Sequence, residues 1–325
     1  MSRVRVSTGA RLHFGFLNLS LAHQRLYGGL GVGLDEPRTV VAAEPATEVD
    51  CPDADARAYV ERAVDALDVP GAAVAVESAL PRHAGLGSGT QLALAVLEAV
   101  ARAHDRTVSV RELAPRLGRG GRSGIGVAAF EDGGVLVDGG HPTARFTTDR
   151  PADGDWTVPP VAVRHTVPDD WRFVVVVPDA DSGRSGEEED ESMRSVVERA
   201  DPGVADRISG VLSRRLLPAV ADGSAARFGE AVSEIGRLNG AWYADEQGGV
   251  YRPPVGELVA SLEDDPACYG AGQSSWGPAV YAVTDADHAD AARAAGRAAL
   301  DAADVAGEVR LVRGRNEGAT IRRNG

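Results

Sequence analysis

The strongest chemical signal in the sequence is a glycine-rich segment directly before an apolar stretch. The segment reads Ala84-Gly85-Leu86-Gly87-Ser88-Gly89-Thr90, and residues 91–104 behind it are apolar almost all round, which predicts a buried helix. Such glycines leave backbone N–H groups free to converge on an anion, and a helix N-terminus adds about half a positive charge. A plain tight turn would need one glycine, not three in five residues. We therefore predict a phosphate site at Gly85, Gly87, Ser88, Gly89 and Thr90.

A second segment rich in glycine and arginine covers residues 116–126. Arg119, Arg122 and Ser123 stand among its glycines, and an arginine fork can bind two phosphate oxygens at once. In a chain with many carboxylates, the alternative is that these arginines form surface ion pairs. We predict that all three residues bind phosphate.

Two isolated polar residues in the first part of the chain are candidates for catalysis. Arg25 precedes a glycine-rich stretch, residues 28–33, that we predict to be a loop. It could hold a carboxylate or a phosphate, and the alternative is a solvated loop arginine. His13 lies in a predicted strand, where a lone histidine is more often a satisfied core residue. Arg25 and His13 are the predicted catalytic residues.

Two polar groups in the second half of the chain could belong to the same site. Gln273, Ser274 and Ser275 follow Gly272 and are too densely polar for a plain hairpin, so we predict that they bind substrate. The acidic run at residues 187–191 could bind Mg²⁺ together with a diphosphate, with Glu187 and Glu188 as ligands. The alternative is that this run is a solvated face.

The charge of the chain argues against several classes of partner and mechanism. Asp and Glu number 48 against 34 Lys and Arg, the net charge is −14, and every one of those 34 residues is arginine. Such a surface repels nucleic acids and anionic membranes, so neither is expected as a partner. Without lysine, a P-loop lysine, a Schiff base and a lysine general base are excluded. The composition resembles that of halophilic proteins, in which salt screens the self-repulsion.

Strands and helices, which must position these residues, are mixed in both halves of the sequence. Residues 4–14 predict a strand, a turn and a second strand, and the Pro-, Asp- and Thr-rich stretch at residues 142–168 predicts a domain junction. We predict an α+β protein with domains at residues 1–165 and 166–325. No apolar run approaches the ~20 residues that span a bilayer, and the N-terminus lacks a secretory signal, so a cytoplasmic location is expected.

Three segments resemble the motifs of the GHMP kinase superfamily, which includes galactokinase, homoserine kinase and mevalonate kinase. Residues 84–90 resemble its phosphate loop, residues 9–13 with Gly28-Gly29 its first motif, and residues 270–275 its third. The resemblance implies a ribosomal-S5-type N-terminal domain, a ferredoxin-like C-terminal domain and a site in the cleft between them. A catalytic aspartate found in some of these kinases is missing, because the comparable stretch reads Gly124-Ile125-Gly126. We therefore expect no use of ATP.

A non-kinase branch, the β-ribofuranosylaminobenzene 5'-phosphate synthases, is similar over more of the sequence. The similar segments are Arg11-Leu12-His13, residues 119–126, Phe130, Gly133-Gly134, residues 185–189 and residues 272–278. Near Asn18 this sequence lacks an aspartate that is common in the branch. The resemblance implies that the protein joins phosphoribosyl diphosphate (PRPP) to 4-aminobenzoate and releases CO2 and diphosphate, in the biosynthesis of a tetrahydromethanopterin-type carrier. It also adds Arg11 to the substrate-binding residues.

The two phosphate-bearing ends of PRPP agree with the two glycine-rich segments. Mg²⁺ with the diphosphate is the one cofactor considered, and a homodimer is left open. Two other functions remain open from the sequence. One is an ATP-dependent small-molecule kinase, which would form ADP with some acceptor. The other is a sensor that binds PRPP or a nucleotide without turnover.

Overall fold

The computed structural model describes residues 3–144, 151–180 and 187–324, and both strands and helices occur throughout them. The strands are β1 (Arg3–Asn18), β2 (Arg25–Pro45), β3 (Val49–Asp50), β4 (Ala72–Ser78), β5 (Val135–Asp138), β6 (His141–Pro142), β7 (Val161–His165), β8 (Trp171–Pro178), β9 (Gly270–Gln273), β10 (Val280–Asp285), β11 (Gly307–Arg313) and β12 (Thr320–Asn324). The helices are α1 (Ala54–Leu67), α2 (Ser88–Ala103), α3 (Val110–Leu113), α4 (Ile125–Glu131), α5 (Glu187–Arg199), α6 (Pro202–Val211), α7 (Leu217–Ala221), α8 (Ala225–Gln247), α9 (Val255–Glu263) and α10 (Ala289–Ala302). The predicted α+β class is confirmed.

The larger sheet is built on the long antiparallel pair β1 and β2. Its main path runs β12-β1-β2-β4-β3, with β5 and β6 paired to β2 and β7 paired to β5. Helices α1 and α2 pack on one face of this sheet in a core that includes Val4, Val6, Val60, Leu94 and Val100. Helix α2 is apolar on nearly every side because it lies in the middle of this layer. It begins at Ser88, three residues before the start that the sequence predicted.

The smaller sheet has the ferredoxin-like arrangement that the sequence resemblance implied. Its four antiparallel strands lie in the order β11-β8-β10-β9, and along the chain they follow a β-α-β-β-α-β plan. Helices α9 and α10 contribute Val255, Leu258 and Ala292 to a core on one face, together with Val174 and Val176 of β8. Alternate residues of β8 thus face opposite sides of the sheet.

An apolar cluster with residues of both sheets joins them. Phe14 of β1 lies 4.9 Å from the ring centre of Tyr281 on β10 and 5.7 Å from that of Phe228 on α8. Trp171 of β8 packs against Phe228 at 4.6 Å. All four side chains are at most 1% exposed, so burial of large apolar area holds the two halves together.

Two local predictions were wrong. Residues 4–14 form one continuous strand, because β1 stays paired with β2 on both sides of a register shift between Gly9 and Arg11. The glycine-rich residues 28–33 belong to strand β2 and not to a loop. Glycine is needed there for close packing: a Cβ on Gly29 would stand 2.4 Å from Ser123 Oγ and 2.7 Å from Asp138 Oδ2.

The end of the chain returns to the first sheet. Strand β12 pairs antiparallel with β1, with Val6 opposite Ile321. The division into domains at residues 165 and 166 stays a prediction. Among the described helices, none combines the length and the apolar character needed to cross a membrane.

Candidate active site

The glycine-rich segment before α2 forms a loop that ends at the helix N-terminus. Gly85 and Gly87 have φ angles of +87° and +84°, a region that favours glycine. In the first backbone hydrogen bond of the helix, the Gln91 N–H donates to the Gly87 carbonyl at 3.0 Å. The N–H groups of Ser88, Gly89 and Thr90 precede that bond and point towards the helix N-terminus. With the helix dipole behind them, they can bind a phosphate group.

Two arginines flank this loop. Arg11 donates from Nη1 to the Gly85 carbonyl oxygen, and its Cγ lies 3.1 Å from the point where a Cβ on Gly87 would stand. Arg119 reaches the other side, with Nη2 3.0 Å from the corresponding point on Gly89, and its Cζ lies 5.1 Å from the centre of the Tyr59 ring. The structure thus brings Arg11, a predicted substrate ligand, to the phosphate loop itself. Positive charge on both sides favours an anion there.

The third motif packs directly on the phosphate loop. Ser274 Oγ donates to the Gly85 carbonyl at 2.7 Å and accepts from the His13 N–H at 3.1 Å. The Ser275 N–H donates to the His13 carbonyl at 3.0 Å. Gln273 donates from Nε2 to the Gly277 carbonyl at 3.0 Å. Ser274 and Ser275 therefore lie at the junction of β1 and the phosphate loop, although 189 residues separate Ser274 from Gly85. Gln273 precedes them at the end of β9.

A chain of hydrogen bonds connects His13 to a buried carboxylate. Ser123 Oγ donates to Asp138 Oδ2 at 2.9 Å and lies 3.1 Å from His13 Nε2. Because the serine proton is used towards Asp138, His13 Nε2 must donate to the serine oxygen. This assigns the Nε2–H tautomer to His13 and leaves Nδ1 as a hydrogen-bond acceptor.

Asp138 was not a candidate in the sequence. Its carboxylate accepts from the N–H groups of Gly124 (2.8 Å) and Gly140 (2.9 Å) as well as from Ser123. Burial raises the pKa of Asp138, and these hydrogen bonds, with a further one from Gly29, oppose the rise. All the hydrogen bonds that the described neighbours make with this carboxylate are donated to it, which matches an ionised Asp138. The signal in the sequence was a short apolar strand, Val135–Asp138, that ends in an aspartate before two glycines.

His13 itself is uncharged at neutral pH. It is 6% exposed, and burial, followed by repulsion from the Arg11 cation, lowers its pKa to about 3. The imidazole is therefore available as a neutral base or hydrogen-bonding group. A charged histidine beside the phosphate loop would have been an additional anion ligand instead.

Arg25 acts on the turn that follows Asp138. Its Nε donates to the Gly139 carbonyl and its Nη2 to the Gly140 carbonyl, the latter at 2.6 Å. Asn18 stabilises the neighbouring turn, since its Nδ2 donates to the carbonyls of Ser20 and Arg25. The structure therefore places Arg25 where it supports the Asp138 turn, and its predicted catalytic role stays a prediction.

An aromatic pocket adjoins His13. Phe16, Tyr243, Tyr251 and Trp276 line it together with His13, and its space amounts to about 500 Å³ when the part open to solvent is counted. The centres of the Tyr243 and Trp276 rings lie 4.5 Å apart. Such a pocket suits a flat aromatic ligand.

Asn239 on α8 fixes the strand beside this pocket. Its Oδ1 accepts from the Phe16 N–H at 2.7 Å and its Nδ2 donates to the Phe16 carbonyl at 3.0 Å. These bonds lie next to a register shift between His13 and Gly15. A bulge of this kind bends a strand and alters the direction of the side chains around it, and this one lies between His13 and Gly15.

The remaining predicted residues lie beside Ser123 and at the start of α5. Arg122 is half-buried next to Ser123. Glu187 and Glu188 lie at the start of α5, but their side chains are outside the part of the chain that the structure describes. Within the described part, no three His, Cys, Asp or Glu side chains are grouped as a metal site. The binding of Mg²⁺ stays a prediction.

Comparison with known proteins gives relatives that match almost the whole chain. A protein from Methanothermobacter thermautotrophicus named beta-ribofuranosylphenol 5'-phosphate synthase is 33% identical over 97% of this chain and 97% of its own length. A protein of the same name from Archaeoglobus fulgidus is 34% identical over 87% of this chain and 88% of its own length. The profile of the GHMP kinases N terminal domain matches residues 56–134, and that of the GHMP kinases C terminal domain matches residues 216–302.

Solved structures with the same fold include enzymes of different activities. A galactokinase from Lactococcus lactis aligns with a TM-score of 0.69 at 12% identity, over 98% of this chain and 95% of that chain. A mevalonate diphosphate decarboxylase from Staphylococcus aureus aligns with a TM-score of 0.67 at 14% identity, over 99% and 98%. At these identities the comparison shows the fold alone.

Proposed function

Since the chain belongs to the GHMP kinase superfamily and, within it, to the family of the β-ribofuranosylphenol 5'-phosphate synthases, we propose that it transfers the ribose 5-phosphate of PRPP to the ring of a para-substituted benzoate. Both resemblances stated from the sequence are thereby confirmed. The acceptor expected from the sequence is 4-aminobenzoate. The name of the relatives contains a phenol, which favours 4-hydroxybenzoate as a second candidate. The product would enter the biosynthesis of a tetrahydromethanopterin-type carrier.

One observation carries this proposal: the phosphate loop and the aromatic pocket meet at His13. The loop, with Arg11 and Arg119, offers N–H groups and cations to the diphosphate of PRPP. The pocket with Phe16, Tyr243 and Trp276 offers an apolar surface to the benzoate ring. A ring carbon and C1 of the ribose could therefore be held side by side, which removes much of the entropic cost of a reaction between two substrates.

The reaction then needs stabilisation of charge more than proton transfer. The bond from C1 to the diphosphate oxygen breaks, and the loop and its arginines stabilise the departing anion. The ring carbon that bears the carboxylate forms the new bond to C1, and its bond to the carboxyl carbon then breaks, so that CO2 leaves and the ring is aromatic again. Neutral His13 can accept a hydrogen bond at Nδ1 from the para N–H or O–H, and this bond helps that group to donate electrons to the ring.

The proposal is tested with four acceptors and a product analysis. The protein is incubated with PRPP and 4-aminobenzoate, 4-hydroxybenzoate, 3-aminobenzoate or benzoate, with and without added Mg²⁺, and products are identified by mass spectrometry. We expect CO2 and diphosphate in equal amounts, only with the para-substituted acids and only when PRPP is present. The amino group should be the better electron donor of the two.

Three outcomes would contradict the proposal. An N-riboside that keeps its carboxylate would show attack by nitrogen. CO2 formed without PRPP would show simple decarboxylation. ADP formed from ATP with homoserine, mevalonate or galactose would show phosphoryl transfer, the chemistry of the kinases that share this fold.

A further inference from the structure

A second cavity lies on the larger sheet, and its charged lining consists of arginines. The lining residues are Arg5, Ser7, Arg38, Val40, Arg315, Thr320 and Arg322. The space amounts to about 740 Å³ when the part open to solvent is counted. We call the space lined by these seven residues the arginine cavity. It stands out because the whole chain carries a net charge of −14.

The strand pattern shows why these side chains meet. Arg5 and Ser7 on β1 are two residues apart, as are Arg38 and Val40 on β2, so that each pair projects from the same face of the sheet. Val4, Val6 and Val41, at the alternate positions, are buried in the core on the other face. The arginine cavity is therefore on the face turned away from α1 and α2.

The register of β12 adds an unfavourable contact between like charges. Arg5 and Arg322 are directly opposite each other in the pair β1 and β12. Like charges at such positions destabilise a sheet. An anion bound between the two arginines would turn this destabilising repulsion into a net attraction.

Carboxylates neutralise the arginine cavity only in part, although the chain has 48 of them for 34 arginines. Arg38 donates to neutral oxygens, namely Ser7 Oγ at 2.8 Å, the Ser7 carbonyl at 3.0 Å and the Asp35 carbonyl at 3.1 Å. Within the described residues, neither Arg38 nor Arg322 forms an ion pair.

The other two arginines are only partly neutralised. Arg5 shares Glu77 with Arg3, at 2.6 Å and 3.1 Å. Arg315 lies 4.0 Å from a Glu317 carboxylate that is 85% exposed, so water screens that pair. Burial lowers the pKa of Arg38, and the Arg315 cation lowers it further, while Asp35 and Glu36 oppose this.

We propose that the arginine cavity binds a multiply charged phosphate anion, of which diphosphate is the simplest example, at a site separate from the active site. Arginine forks bind phosphate oxygens bidentately, and several forks around one space select an anion with several charges. Arg5 and His13 are eight residues apart on β1, which is about 26 Å along a strand. The inference does not depend on the proposed function.

The test counts diphosphate sites by isothermal titration calorimetry in four proteins at one fixed KCl concentration. They are the native protein, the Gly87→Val variant, whose phosphate loop is blocked, the Arg322→Gln variant, and the variant with both changes. We expect two sites in the native protein and one in each single variant. In the double variant we expect no site, or one whose affinity is about tenfold or more weaker, because a hydrogen bond to a charged group is lost. Arg38→Gln in the Gly87→Val background gives a second measurement of the same loss.

The matched control is Arg323→Gln. Arg323 is the neighbour of Arg322 on β12 but bonds to Asp105 Oδ1 at 2.7 Å, so its removal should leave the number of sites unchanged. Loss of all diphosphate binding in Gly87→Val alone would overturn the proposal. Native-like affinity of the second site in folded Arg322→Gln and Arg38→Gln variants would also overturn it.

Discussion

At the scale of single residues, His13 shows how burial sets the chemistry of the site. The same burial that removes water also disfavours the charged imidazole, and Arg11 adds to this, so the pKa of His13 falls to about 3. The sequence could suggest this residue but not its state. Burial, the Ser123 contact and the tautomer depend on residues 110 and more positions away.

The lowered pKa of His13 predicts a loss of stability in mild acid. In the unfolded chain a histidine takes up a proton near pH 6.5, whereas His13 in the fold does so only near pH 3. The contribution of neutral His13 to the free energy of unfolding is therefore complete above about pH 6.5 and is lost progressively as the pH falls towards 3. Between pH 7 and pH 5 the free energy of unfolding should fall by about 2 kcal/mol from this group. Urea unfolding of the native protein and His13→Gln at both pH values measures this.

In His13→Gln the pH-dependent loss should be smaller by that amount. His165 is a half-buried histidine on β7, and His165→Gln serves as the control for the general effect of replacing a histidine by glutamine. Equal acid sensitivity in native protein and His13→Gln would show that His13 is not the group responsible.

Asp138 predicts a second effect at the residue scale. In Asp138→Asn an amide N–H2 at the position of Oδ2 loses the hydrogen bond from the Gly124 N–H but can donate to Ser123 Oγ, so that Ser123 can donate to His13 Nε2 instead. The His13 tautomer should then change to Nδ1–H, and kcat should fall roughly tenfold or more with little change in KM for PRPP. Nitrogen NMR of labelled histidine measures the tautomer directly.

The exposed residue Asp264 supplies the control for this prediction. Asp264→Asn should alter neither the tautomer nor kcat. An unchanged histidine spectrum together with unchanged kcat in folded Asp138→Asn would refute the positioning role of Asp138.

At the scale of elements, local patterns were predictable and distant contacts were not. The phosphate loop and α2 are adjacent in sequence, so their glycines and apolar residues predict them together. The aromatic pocket depends on α8, where Asn239 and Tyr243 stand among ordinary helix residues. The wrong prediction of a loop at residues 28–33 also comes from contacts distant in sequence, since a glycine can allow a close approach within a strand as well as a turn.

The loop before α2 predicts that a side chain at Gly87 abolishes PRPP binding. A valine there must adopt φ near +84°, and its Cβ would stand 3.1 Å from Arg11 Cγ, so that both the N–H groups and Arg11 are displaced. Gly87→Val should therefore fold but lose PRPP binding in calorimetry. Circular dichroism monitors the fold.

Gly248 offers a matched control for backbone strain. Its φ is +79°, and a Cβ there would meet no atom within 4 Å. Gly248→Val should lose a similar amount of stability and keep its affinity for PRPP. If folded Gly87→Val also kept the native affinity, the loop would not be part of the binding site.

At the scale of the whole molecule, net charge opposes folding at low salt. Many arginines already pair with carboxylates on the surface, such as Arg237 with Glu263 at 2.6 Å, and each exposed pair contributes at most about 1 kcal/mol. The excess of acidic residues remains after this pairing, with 48 against 34. Repulsion among the excess carboxylates acts over the whole surface and is screened by salt within about 10 Å at 0.1 M.

The resulting prediction is that KCl raises the melting temperature. Salt weakens both the surface ion pairs and the general repulsion, but the net charge of −14 makes the repulsion the larger effect. The Tm should therefore rise steeply up to molar KCl in differential scanning calorimetry. The control replaces the exposed residues Asp170, Asp264, Asp301 and Asp304 by asparagine, which lowers the repulsion. That variant should melt higher at low salt and respond less to KCl, whereas a flat or falling Tm in the native protein would refute adaptation to high salt.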